Sequence, residues 1–170
     1  MNAIVAPPRT ALETIISNPG QFDLIITDNT NSVRCVGFRM GHLEKKLVQH
    51  QDKRVRLIVT DGVFSMDGDL APLDEIVALA EECNSMILLD DSHASGFIGK
   101  TGRGVHEHFD VMGKIDIITT TLGKALGGAS GGCVSGKAQM IELCRQKARP
   151  YLFSNSMAPP IVAGSIAVLD

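Results

Sequence analysis

The sequence predicts an α/β three-layer sandwich built on a mostly parallel sheet. Three observations predict it. Short apolar runs rich in β-branched residues recur along the chain, stretches with helical apolar spacing separate them, and polar residues gather just beyond the runs. Near-continuous apolar runs suit strands covered on both faces, and ligands of such sheets sit beyond the carboxyl ends of the strands.

The expected strands are Phe22–Thr27, Val55–Thr60, Ser85–Asp90, Ile115–Thr120 and Gly132–Ser135. Leu43, Leu47 and Val48 mark a short helix before the second strand. Pro72 opens a longer one, with Asp74 and Glu75 in its first turn and Leu73, Ile76, Val77, Leu79 and Ala80 on one stripe. Met140, Ile141, Leu143 and Cys144 mark a third, which is expected to end before Arg149-Pro150. Pro159 and Pro160 open a last helix through Ile161, Val162, Ile166, Val168 and Leu169. That helix runs into Asp170 without a cap, so the chain is expected to be a piece of a longer protein.

Composition narrows the function classes. Of 170 residues, 44% are hydrophobic and 21% charged, the balance of a globular domain. A net charge of −3 provides no basic field for nucleic acid, and with no Trp and one Tyr there is little surface for stacking bases. No apolar run has the length of a membrane-spanning helix. Cys35, Cys83, Cys133 and Cys144 form no C-x-x-C pair, which suits a reducing compartment. The first residues lack the basic start and apolar centre of a secretory signal, and a single Arg precedes Glu13.

Three strand ends carry the chemistry. Beyond Thr60 lies a turn with two glycines and two acids, from which Ser65 could present a hydroxyl. Beyond Leu89 come Asp90, Asp91, Ser92 and His93. A carboxylate buried at the end of an apolar strand needs a cation or donors, and a protonated pyridine nitrogen is such a cation. His93 is spaced to reach a neighbouring oxygen of the same ligand. Beyond Thr120 come Thr121, Leu122, Gly123 and Lys124, followed by a glycine-rich stretch. A lysine desolvated among small and apolar residues is a usable amine nucleophile, and Thr121 is spaced to donate to a phosphate.

Together the segments TDGVFSMDGD (60–69), LLDDSHASGF (88–97), TGRG (101–104), DVMGKIDIITTTLGKALGGASGG (110–132) and ARPYLFSNSMAPP (148–160) resemble the α-oxoamine synthase family of pyridoxal 5′-phosphate (PLP) enzymes, with fold-type I large domains. The blocks at 123–132 and 149–156 favour the branch that condenses glycine with acetyl-CoA over the aminolevulinate, aminooxononanoate and sphingoid-base branches. The resemblance implies that Lys124 carries PLP covalently and moves the α-proton of glycine, that Asp90 pairs with the pyridine nitrogen, and that His93 and Ser65 touch the cofactor. It places Thr121 on the phosphate side. Ser154 and Asn155 are implied to reach the phosphate of a partner subunit's cofactor, in a homodimer with shared sites. No metal is implied. The compartment would be mitochondrial in a eukaryote and cytoplasmic in a bacterium.

The resemblance covers 41–170, part of the large domain, while 1–40 match weakly. Family members are more than twice as long, and a small carboxyl-terminal domain is expected to be missing here. The ring-stacking histidine of the family should follow the first expected strand, where this chain reads Asp28-Asn29-Thr30-Asn31-Ser32-Val33. Autonomous activity is therefore not expected. Three other readings are weaker. Gly99-Lys100-Thr101 suggests an NTPase phosphate loop, but Ala94 stands where its first glycine should be. His106-Glu107-His108 offers two imidazoles in what reads as a solvated loop, without a clear third metal ligand. Asp28 after an apolar run faintly resembles a phosphoacceptor in a non-enzymatic module.

Overall fold

A computed structural model describes the strands at 2–6, 24–27 and 33–34, and residues 40–128 and 130–169. A seven-stranded sheet organises them, with strands β1 (Asn2–Ala6), β2 (Leu24–Thr27), β3 (Val33–Arg34), β4 (Arg56–Asp61), β5 (Met86–Asp90), β6 (Ile117–Thr121) and β7 (Gly132–Gly136). The order across the sheet is β1-β7-β6-β5-β4-β2-β3. Pairs from β3 to β6 are parallel, and β7 is antiparallel to both β6 and β1. The connection 122–131 is too short for the crossover a parallel return needs, so β7 turns straight back. Apolar periodicity does not anticipate β1 or β3, since the first 40 residues carry only one strong run. Asp28 lies outside the described residues.

Helices cover both faces. Helices α1 (Met40–Gln49), α2 (Leu73–Glu82) and the single turn α3 (Val105–His108) lie on one side; α4 (Ala138–Lys147) lies on the other. Strand alternation assigns the two cores. Ile58, Ile87 and Leu89 face Leu43 and Leu47 of α1 and Leu73, Ile76, Val77 and Ala80 of α2. Leu57, Val59, Leu88, Ile117 and Val134 face Ile141 and Cys144 of α4. This is the three-layer sandwich that the sequence predicts.

Helix α2 starts as expected after Pro72, with Asp74 and Glu75 in its first turn, and the chain leaves it through Asn84 at φ 47°. Two helices differ from expectation. Residues 105–108, expected as a loop, form α3. Helix α4 ends at Lys147, before Arg149-Pro150 as expected, but beyond the extended Ala148 an unanticipated helix, α5 (Arg149–Phe153), carries Pro150 in its first turn, where proline sacrifices no hydrogen bond. Helix α6 (Pro159–Leu169) follows and buries Ser165 among the side chains described. No helix among the described residues is long and apolar enough to cross a membrane.

The amino-terminal edge of the sheet is closed by polar staples. The buried Arg56 guanidinium donates to the carbonyls of Lys53 at 2.6 Å, Cys83 at 2.6 Å and Asn84 at 3.1 Å. Asp116 accepts from the Ile87 amide at 2.8 Å and from Lys137 Nζ at 2.5 Å. These bonds tie strand starts to helix ends at this edge, although Arg56 Nε is itself buried without a partner. Leu88 sits fully buried at the centre of β5. Leu88→Ala is expected to lower the unfolding free energy by about 3 kcal/mol in urea titration, through lost burial and the cavity left behind.

Candidate active site

The carboxyl ends of β4, β5 and β6 finish level. Asp61 is in register with Asp90, and Asp90 with Thr119. Asp90 therefore lies on the face that carries Leu88 and Ile117 lower down, and the next residue, Asp91, turns to the other face. The two acids have different surroundings. Asp90 is half-buried, with Oδ1 accepting the Ser92 amide at 3.0 Å, and no side-chain cation among the described residues pairs with it. Asp91 is fully buried. The sequence reading assigns the buried carboxylate to Asp90; the structure moves the deep burial to Asp91.

Asp91 fastens the loop that follows. Its Oδ2 accepts the Ser95 hydroxyl at 2.7 Å and its Oδ1 the Val105 amide at 3.1 Å. Its own amide donates to the Thr119 carbonyl at 2.8 Å, tying the loop to β6. The carboxylate fits because Gly62 and Gly104 have no side chain. A Cβ at Gly104 would overlap Asp91 Oδ2, and one at Gly62 would lie 2.7 Å from Oδ1. Burial pushes the Asp91 carboxyl above the usual range, against the hydrogen bonds from Ser95 and Val105. Burial also lowers His106, whose Nδ1 is buried without a hydrogen-bond partner.

The loop brings His93 to the lysine. Gly96, at φ 107°, lets it lie against the neighbouring loop: a Cβ there would stand 3.2 Å from the Ala125 Cβ and 3.3 Å from Leu126 Cδ2. Across this seam Lys124 Nζ meets His93 Nε2 at 2.9 Å, an amine and an imidazole sharing one hydrogen bond. Lys124 itself is exposed, so the desolvation expected from its small and apolar neighbours is not provided by the described residues. Thr121 Oγ1 donates to the Gly131 carbonyl at 3.2 Å and accepts the Gly123 amide at 3.4 Å, holding the loop's two ends together. A Cβ at Gly128 would approach Ser165 Oγ to 2.8 Å, which is how α6 packs on this loop.

The structure thus gathers Asp90, His93, Thr121 and Lys124 at one edge. Ser65 is exposed in the turn after β4. Ser154 and Asn155 are exposed between α5 and α6. Asp91 and Thr119 go unnoticed in the sequence, although strand alternation alone sends Asp91 to the apolar face opposite Asp90.

Two rival readings meet physical objections. The amides of Thr101 and Arg103 donate to Glu107 Oε2 at 2.9 and 3.1 Å, and the Thr101 hydroxyl to Oε1 at 2.7 Å. The loop 99–103 therefore wraps its own carboxylate, where a phosphate loop would keep its amides for a ligand. His106, Glu107 and His108 lie on α3, and among the described residues no group of three or more His, Cys, Asp or Glu side chains is arranged to hold a metal ion.

The profile of the aminotransferase class I and II family matches residues 25–169. The 2-amino-3-ketobutyrate coenzyme A ligase of Salmonella typhimurium is 55% identical over 133 residues, covering 77% of this chain and 33% of that protein. The mitochondrial human protein of the same name is 45% identical over 168 residues, covering 99% of this chain and 40% of that protein. Among solved structures, serine palmitoyltransferase from S. paucimobilis, with a bound PLP–myriocin compound, superposes with a TM-score of 0.85 at 30% identity, covering 99% of this chain and 48% of that one. The chain spans 33–40% of the length of these curated relatives.

Two measurements check the Asp91 arrangement. Gly104→Ala, at φ 104° and against Asp91, is expected to cost at least about 3 kcal/mol in urea unfolding, whereas Gly113→Ala, at φ 84° in open space, costs about 1 kcal/mol. The sign of the pH effect follows from the raised Asp91 value. The folded state holds this proton more tightly than the unfolded state, so the contribution is complete below about pH 4 and is lost as pH rises. Asp91→Asn should remove that loss, so the stability difference between mutant and parent should move in the mutant's favour from about pH 4 to 7.

Proposed function

Since the chain belongs to the aminotransferase class I and II family and, within it, to the α-oxoamine synthases, we propose that it is the PLP-binding part of a glycine C-acetyltransferase. Such an enzyme condenses glycine with acetyl-CoA to 2-amino-3-ketobutyrate and CoA, and in reverse completes threonine breakdown. The observation that carries the reading is the 2.9 Å contact between Lys124 Nζ and His93 Nε2 beside Asp90. An amine, an imidazole and a carboxylate without a cation are the groups that a phosphorylated pyridine aldehyde requires. The buried Thr119 hydroxyl, unpartnered next to Asp90, also suits a polar ligand at this edge.

Lys124 would hold PLP through its amine, Asp90 would face the ring nitrogen, and His93 would donate to the phenolic oxygen. Thr121 would serve the phosphate, and Ser65 would add a hydroxyl from the β4 turn. PLP bound there supplies an electron sink that makes the α-C–H bond of an attached amino acid acidic. Lys124 would act as the general base for that proton, with the adjacent His93 fixing the direction of its amine. Asp90 would face the ring nitrogen with its carboxylate, which the Ser92 amide holds in place. Ser154 and Asn155 would contact the phosphate of a second subunit's cofactor in a homodimer. The compartment follows the host, mitochondrial in a eukaryote and cytoplasmic in a bacterium.

The test is spectroscopic. Protein mixed with PLP should develop a visible absorption band that borohydride bleaches with stoichiometric labelling of Lys124. Lys124→Ala should lack the band. Asp90→Ala should weaken PLP binding by about tenfold or more, the loss of one charge-assisted contact. A borohydride label on another lysine, with Lys124 untouched, would overturn the assignment.

A further inference from the structure

Thr119 is 94% buried, by its 6% exposure, and its hydroxyl has no hydrogen-bond partner. It stands in register between Asp90 on β5 and Val134 on β7, on the sheet face that carries Leu88 and Ile117 lower down. Valine would fill the same volume in a strand without burying an unpaired donor, so threonine here is a liability to the fold unless the hydroxyl is used in another state. What lies next to it is a carboxylate with one oxygen already held by Ser92. Adjacent strands are about 4.8 Å apart, which brings the hydroxyl within reach of the Asp90 carboxylate after rotation about χ1.

We propose that Thr119 is a positioning residue for Asp90, donating its hydroxyl to the carboxylate when a cationic ring nitrogen is bound. The inference rests on the PLP reading above. A donor to a carboxylate favours its charged form, and a charged Asp90 in turn keeps the ring nitrogen protonated. Thr119 touches no reacting atom in this scheme. It acts by orienting Asp90 and holding its charge.

The test compares Thr119→Val and Thr119→Ser with the parent, using PLP and a carbocyclic PLP analogue in which carbon replaces the ring nitrogen. Without cofactor, Thr119→Val should melt about 2–4 °C higher, because it removes an unsatisfied buried hydroxyl. Its affinity for PLP should nevertheless fall about tenfold, while its affinity for the analogue stays within about twofold of the parent's. Thr119→Ser should bind PLP like the parent. A lower melting temperature for cofactor-free Thr119→Val would mean that the hydroxyl already has a partner, and overturns the proposal. So does parental PLP affinity in that variant, or an equal loss for both ligands. If the parent itself binds no PLP, the functional reading fails and this inference falls with it; parental binding by Thr119→Val sinks this inference alone.

Discussion

The active edge depends on one constraint: β4, β5 and β6 run parallel and finish in register. Asp61, Asp90 and Thr119 are level because their strands pair without slip from Leu57 and Met86 onward. A shift of one residue in β5 would turn Asp90 to the α2 side and Asp91 to the α4 side, exchanging a half-exposed acid for a buried one. Leu57, Leu88 and Ile117 below, and Ile58, Ile87 and Leu89 on the reverse, make any such shift expensive. The chemistry of the edge is thus set by ordinary apolar burial several residues away.

On that platform the loops are held by polar groups rather than by apolar ones. Asp91 anchors one end of the 91–105 loop and Glu107 its far end, so that His93 is carried on a segment fixed at both sides. The lysine loop is pinned by Thr121 and Gly131 at its base and lies against Gly96. Two rigid loops meeting at a glycine seam are what give the amine and the imidazole their hydrogen-bond distance. At the amino-terminal edge Arg56 caps backbone carbonyls, and Asp116 holds the Ile87 amide and the Lys137 ammonium.

Much of this was legible in the sequence, for a physical reason. Apolar period and proline placement report burial and local backbone geometry, so the five strong runs and the helices near 43–48, 73–80, 140–144 and 161–169 could be read directly. The strand-end rule then selected Asp90, His93, Thr121 and Lys124. Partner-dependent features were not legible. The strands β1 and β3 owe their existence to neighbours rather than to their own pattern, and α3 is a single turn with no stripe to detect. Which of two adjacent aspartates is buried depends on alternation and on glycines 62 and 104, far apart in the chain. The missing partner of the Thr119 hydroxyl is invisible in sequence, because it is a property of surroundings.

The strand order also dictates the order in which the sheet is able to assemble. From β4 to β7 each new strand lies beside the one made just before it, so this block grows outward in a single direction as the chain lengthens. The strand β1 breaks the sequence. Earlier in the sequence than the other described strands, it pairs with β7, from Asn2 opposite Gly136 to Ala6 opposite Gly132, and closes the longest loop in the sheet. It has no partner until nearly four-fifths of this chain exists. Until then that edge of the growing sheet stays open, and β1, which precedes every other described strand, waits for the partner farthest from it in sequence.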